Sequence, residues 1–280
     1  MRRSKRRKER LLTLGLYAGL LGGLLFATFP IFWMLSSSFK SNTEIFALPP
    51  TVLPKMFTVE AYIAIFTDGQ KLRYFFNSYL VAFAVTGLTV FIALLSAYAF
   101  SRFRFIGKNS LNTIIISTQT IPPITLLIPF FGMVVSYGLF DTYWALILTY
   151  MVFTLPYAIL LMTGYLNTLP RDLDEAVAVD GGSSWTALWR VIVPVSLPGI
   201  VATSVYTFLL CWNEFLFALT LTKSSDMRTV PIGIQMLMGQ HAFEWNEMMA
   251  MSVLGSVPLM LVYLFAQKYF LAGMTAGAVK

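Results

Sequence analysis

Long uncharged apolar stretches alternate along the chain with shorter polar connections. Crossing about 30 Å of hydrocarbon as a helix takes roughly 20 residues, and six stretches reach or approach that length: 11–35, 75–100, 111–135, 143–166, 197–221 and 248–267. The fifth alone contains a charged residue, Glu214. In lipid every backbone polar group needs a partner within the protein, so each stretch reads as a helix. The pattern predicts an all-α, polytopic integral membrane protein with six transmembrane helices. Pro122, Pro123 and Pro129 are expected to interrupt the third span. A basic run, Arg2 to Arg10, precedes the first span, whose apolar part far exceeds the roughly 7–15 residues of a secretory signal core. No small-residue cleavage site follows, which predicts an uncleaved anchor. The chain therefore divides into a basic tail, 1–10, and a transmembrane domain, 11–280.

Three connections exceed the length of a turn. Segment 36–74, with Pro49, Pro50 and Pro54, is expected to hold short helices near the interface. Segment 222–247 is rich in turn residues and offers a surface to an external partner; His241 falls within it with no ligand role. The third, 167–193, is the most informative.

Composition narrows the class. Hydrophobic residues make up 57% of the chain and charged ones 12%, against about 25% charged in soluble domains, which argues against a soluble globular enzyme. One cysteine, Cys211, and one histidine, His241, exclude a disulfide framework and the multi-ligand Cys/His metal sites. The net charge of +7 is a question of orientation rather than of nucleic-acid binding, because basic residues mark the cytoplasmic side. With six spans, fourteen Lys and Arg fall on the side of the N-terminal tail and six on the other. Both termini and the 167–193 loop are thus expected in the cytoplasm.

Within that loop, Pro170 suits a first helical turn, and Asp172, Asp174 and Glu175 complement the positive end of a helix dipole. Gly181 and Gly182 end the helix, Ser183 can cap a second one, and Pro194 and Pro198 mark re-entry into the membrane. Leu173, Ala176, Val177 and Asp180 fall at i, i+3, i+4 and i+7, a narrow stripe suited to a groove in another protein.

Glu175, Ala176 and Val177 are followed by three residues, Gly181, nine more residues, and then Val191, Ile192, Val193 and Pro194. This resembles the cytoplasmic signature of the membrane-spanning subunits of bacterial ATP-binding cassette importers: Glu-Ala-Ala, three residues, Gly, nine residues, Ile-x-Leu-Pro. Val177, Val191 and Val193 depart from it but stay apolar. The likeness runs from about Tyr74 to Lys280. FFNSYLVAFAVTGLTVFIALLSAYAFSRFRFIGK, WNEFLFAL and the ending GMTAGAVK resemble the carbohydrate-importing branch, in particular its maltose-type second permease.

The resemblance implies a type I importer permease fold in a bacterial inner membrane. It implies a coupling role for Glu175, Ala176, Val177, Asp180, Gly181 and Pro194: the loop docks in a cleft of a cytoplasmic ATPase, Glu175 meets a basic residue there, and Gly181 permits the tight turn. It also implies a heterodimer with a second permease chain, two ATPase subunits, an external solute-binding protein and a carbohydrate cargo. Cofactors, ATP and Mg, would sit in the ATPases. Gly107-Lys108 is followed by Asn109 and has Arg102 where a phosphate loop needs its first glycine, so the chain lacks its own nucleotide motif.

The polar residues of the spans have two readings each. Asn77, Gln119, Thr118, Thr120 and Asn213 can hydrogen-bond a sugar or bridge helices. Glu214 can serve as a proton carrier or substrate acceptor, or can fix packing together with Asn213. The rival classes are a proton-coupled secondary transporter using Glu214 and an importer of a glycerophosphate or polyol. An intramembrane hydrolase lacks its nucleophile–base pair.

Overall fold

The computed structural model describes residues 2–239 and 244–278, with side chains over 12–239 and 244–268; His241 and the side chains of the basic tail lie outside these. Among the described residues the chain is helical, without strands. The helices are α1 (Arg2–Ser38), α2 (Asn42–Ile45), α3 (Glu60–Thr67), α4 (Gly69–Arg102), α5 (Lys108–Thr118), α6 (Leu127–Ser136), α7 (Tyr143–Leu166), α8 (Asp172–Val179), α9 (Ser184–Ala187), α10 (Val193–Val195), α11 (Leu197–Trp212), α12 (Leu216–Leu221), α13 (Val230–Met236) and α14 (Trp245–Ala278). Four stretches are long and apolar enough to cross a membrane: Leu12–Ser38, Gly69–Arg102, Tyr143–Leu166 and Trp245–Lys268. Two bent pairs raise the number to as many as six, Lys108–Thr118 with Pro123–Ser136 at 94° and Ser184–Val195 with Leu197–Trp212 at 76°.

Both bends refine the expected spans. In the third, α5 stops at Thr118 and a 3-10 turn, Pro123–Leu126, precedes α6. Pro122 and Pro123 cause the break, because neither has an N–H to continue the ladder. Pro129 interrupts nothing: it sits in the first turn of α6, where a missing N–H costs little. The fifth expected span, 197–221, is two helices, with Asn213 to Phe215 between them.

The chain forms two compact units, Gly69–Gly233 with Val257–Lys280, and Met1–Asp68 with Ile234–Ser256. In the first, α4, α7 and α11 pack against one another. Small residues allow the close approach. Ala82, Ala93, Ala97 and Ala158 are fully buried, and a Cβ on Gly199 would lie 2.5 Å from the Tyr165 ring. Such contacts suit helices in lipid, where dispersion rather than water exclusion drives association. At one end of the trio Leu94, Ala97 and Tyr98 of α4, Met162 and Leu166 of α7, and Leu188 and Ile192 form a buried cluster. Elsewhere Asp141, at φ +62°, accepts bonds from the backbone N–H groups of Lys223 (2.8 Å) and Ser224 (3.0 Å), tying the loop before α7 to the end of α12. Burial opposes its ionisation, but these two donors, together with the Ser224 side chain and the charge of Lys223, hold the carboxyl below the usual carboxylate range.

In the second unit the segment after α1 folds into a knot of polar contacts. Ser36 donates to the Val52 carbonyl (2.6 Å), Ser38 shares a bond with the Tyr62 hydroxyl (2.7 Å), and Phe39 stacks on Phe57 and Tyr62. Lys40, only 2% exposed, donates to the Thr51 carbonyl (2.5 Å) with its ammonium 4.8 Å from the centre of the Trp33 ring. Asn42 receives the Trp245 N–H and donates to Glu244, pinning α2 to the start of α14. By contrast the α1 side chains from Leu12 to Phe26 stand exposed, as a helix solvated by lipid requires.

Candidate coupling loop and polar span residues

The acidic first turn of α8, Asp172, Asp174 and Glu175, lies where the dipole favours negative charge. Its end is a Schellman turn. Gly181 adopts φ +79°, its N–H meets the Ala178 carbonyl at 3.1 Å, and the Gly182 N–H meets the Val177 carbonyl at 2.8 Å. A Cβ on Gly182 would lie 2.5 Å from Cγ1 of Val177 and 3.0 Å from its carbonyl oxygen. Both glycines are thus required, one by its dihedral angle and the other by its neighbour. Ser183 then caps α9, its Oγ accepting the Thr186 N–H. A π-turn, Leu188–Ile192, feeds α10 and the exposed Pro194.

The stripe expected to face a partner is turned. Leu173 packs against the buried cluster of α4, α7 and the π-turn, and Val177 is half-buried against Gly182. Leu173 thus serves the chain's own core, and Val177 the turn that closes α8. The outward face is instead Asp172, Glu175, Ala176 and Val179, all exposed, with Val179 at 87%. Asp180 and Gly181 are exposed beside it, and Trp185 extends it on α9. Of the six coupling candidates, Val177 alone faces inward.

Asp174 has a second use that its place in the first turn does not reveal. Its Oδ1 accepts the Tyr98 hydroxyl (2.7 Å) and its Oδ2 lies 2.7 Å from Arg102 Nε. The Nε–H is not lined up on that oxygen, so the contact is an ion pair more than a directed hydrogen bond.

The span residues separate into engaged and open groups. Asn77 is fully buried: its amide nitrogen donates to the Asp226 and Arg228 carbonyls (2.7 Å each) and its oxygen accepts the Tyr143 hydroxyl (2.7 Å). Glu214 is engaged at both oxygens. Oε2 accepts from the Tyr150 hydroxyl (2.6 Å) and the Ala218 N–H, and Oε1 from the Phe217 N–H (2.7 Å). It caps the first turn of α12 and ties it to α7, and its partner is Tyr150 rather than Asn213. Asn213 is exposed and donates to the Leu209 carbonyl of its own helix. Gln119 is exposed at the end of α5, and the Thr118 and Thr120 hydroxyls donate to nearby carbonyls of the same segment. Beside Glu214 lies a cavity of 260 Å³ walled by Tyr150, Phe153, Leu210 and Phe217.

The family described as binding-protein-dependent transport system inner membrane component matches residues 89–276, which include the α8–α10 loop. The chain belongs to this family. The permease is 34% identical over 275 residues to the inner membrane ABC transporter permease protein YcjP of Escherichia coli, covering 98% of each chain. It is 35% identical to the trehalose/maltose transport system permease protein MalG of Thermococcus litoralis, over 93% of this chain and 95% of the relative. Among solved structures, a bacterial ABC transporter involved in the import of the acidic polysaccharide alginate shares the fold, at TM-score 0.81 and 22% identity over 94% of the permease and 98% of that chain. The permease is therefore an all-helical, multi-pass inner-membrane transport subunit with the fold of ABC importer permeases.

Proposed function

We propose that the permease forms one half of a heterodimeric pore that admits a carbohydrate delivered by an external solute-binding protein. The free energy comes from ATP hydrolysed, with Mg, in two separate cytoplasmic subunits. The observation that carries this reading is the outward face of α8, where Glu175, Ala176 and Val179 stand exposed on a helix closed by a Schellman turn. An isolated helix of eight residues is too short to persist in water, so its docking to the buried cluster through Leu173 keeps the face in shape for a groove in the ATPase. A carbohydrate cargo is supported by the relatives, one named for trehalose and maltose and another, 35% identical over 90% of this chain, for sulfoquinovosyl glycerol. Both termini and the α8–α10 loop lie in the cytoplasm on this reading, in line with the excess of Lys and Arg on that side.

Removing the charge or the turn tests the docking. Glu175→Ala deletes a charge-assisted contact, and Gly181→Val places a β-branched residue at φ +79°. Both variants should insert normally, while the purified complex should lose ATPase subunits or hydrolyse ATP without responding to the binding protein. Undiminished uptake by both variants would overturn the proposal.

A further inference from the structure

The contacts of Asp174 point away from the partner face and into the permease itself. Asp174 faces the end of α4, where Arg102 Nε and the Tyr98 hydroxyl hold one carboxylate oxygen each at 2.7 Å. Tyr98 is 6% exposed, and the Arg102 and Asp174 side chains are 7% and 19% exposed. The pair is therefore largely screened from water, where an ion pair is stronger and its loss costs more. The same junction is tied three times more through the segment before α8, once by Arg102 Nη2 donating to the Pro170 carbonyl (3.5 Å). Arg102 Nη1 donates to the Leu169 carbonyl (3.3 Å), and Arg171 Nη2 donates to the Ser101 carbonyl (3.1 Å). The Tyr98 hydroxyl also lies 3.3 Å from the Ser184 carbonyl at the start of α9. Tyr98 and Arg102 are thus held to α8, and Ser101 to the residue before it, from three positions within the last turns of a 34-residue span, with the Tyr98 hydroxyl also beside the start of α9.

We infer that Asp174 is the positioning residue through which α8 displaces α4: the Tyr98–Asp174–Arg102 brace makes the second span the element that follows the loop when the ATPases close. This rests on the coupling role proposed for the loop. The two neighbouring carboxylates then have separate duties. Glu175 points outward and bears on association with the ATPase, whereas Asp174 points inward and bears on what association accomplishes. Leu173, between α8 and the buried cluster, supplies apolar contact but no direction, because an apolar side chain can slide over its neighbours without losing a specific bond. The ion pair and the phenol bond fix the register of α8 on α4.

The test uses the complete importer in proteoliposomes, with carbohydrate uptake and ATP hydrolysis measured on the same samples. Asp174→Asn keeps the shape and removes the charge, and Arg102→Gln removes the other partner. Each should assemble with the ATPase and hydrolyse ATP, while uptake per ATP falls about five-fold, within the range by which residues linking two sites change their coupling. Because both break one link, the double variant should be no worse than the poorer single variant. Tyr98→Phe, which deletes one hydroxyl, should lower the same ratio less and covers the case in which loss of charge prevents assembly. Asp174→Glu should recover part of the loss. Unchanged uptake per ATP in Asp174→Asn and Tyr98→Phe, or additive losses in the double variant, would overturn the inference. Failure of the coupling reading itself would show as undiminished uptake by Glu175→Ala and Gly181→Val, an outcome separate from the ratio in the Asp174 variants.

Discussion

Asn77 illustrates how a polar residue in a span acquires its role. Its amide nitrogen donates to two carbonyls and its oxygen accepts a phenol, so little of the group remains for a ligand. Asn77→Ala would leave the Asp226 and Arg228 carbonyls and the Tyr143 hydroxyl without this partner, at a cost of about 1–3 kcal/mol. Thermal unfolding of the purified importer should shift downward while the apparent KM for cargo stays put; a changed KM with unchanged stability would instead place Asn77 on the pathway. The sequence shows a polar residue in a lipid-length stretch but cannot show this, because its carbonyl partners lie 149 and 151 positions away. Glu214 was legible as unusual for the same reason and illegible in detail. Its capping of α12 follows from a helix break that apolarity alone does not announce.

At the scale of elements, helix termini were more readable than helix faces. The Schellman turn at Gly181 and the Ser183 cap follow from local chemistry that needs no distant partner. The face of α8 depends on what it packs against: the buried cluster claims Leu173 and the turn at Gly182 half-buries Val177, so two of the four positions of the predicted stripe turn inward. Lys40 is buried against Trp33 and bonded to the Thr51 carbonyl, a placement that counting charges does not reveal. The fit of Gly182 against Val177 gives a direct prediction. Gly182→Ala brings a Cβ to 2.5 Å from Val177 Cγ1, an overpacked contact that should destabilise the loop by about 1–3 kcal/mol. Proteolysis between α8 and α9 should accelerate in the purified complex. Val177→Ala should restore part of the protection; protection that stays at the level of the single variant would mean that the Val177 carbonyl, and not its side chain, sets the limit.

For the whole molecule, length, apolarity and charge asymmetry were sufficient to indicate a multi-pass helical membrane protein, and the loop motif to indicate its family. The bends were less accessible: the two prolines of the third span mark a break but do not set its 94° angle. Orientation is open to a labelling experiment. Val179 and Lys223 are both exposed, and neither side chain caps a helix, so cysteines at these positions in a Cys211→Ala background should react with a membrane-impermeant reagent from opposite sides. Reaction of both from outside would invert the loop and remove its access to a cytoplasmic ATPase. The central claim is that energy enters through the α8–α10 loop and not through protonation of Glu214. It is tested most directly by carbohydrate uptake into proteoliposomes holding the complete importer, with ATP supplied to the ATPase side, with and without a proton ionophore, for the native permease and Glu214→Gln. The glutamine sets an amide N–H against one of the present donors, so uptake should fall in amount, yet it should still require ATP and withstand the ionophore; uptake that proceeds without ATP and collapses with the ionophore would contradict the account.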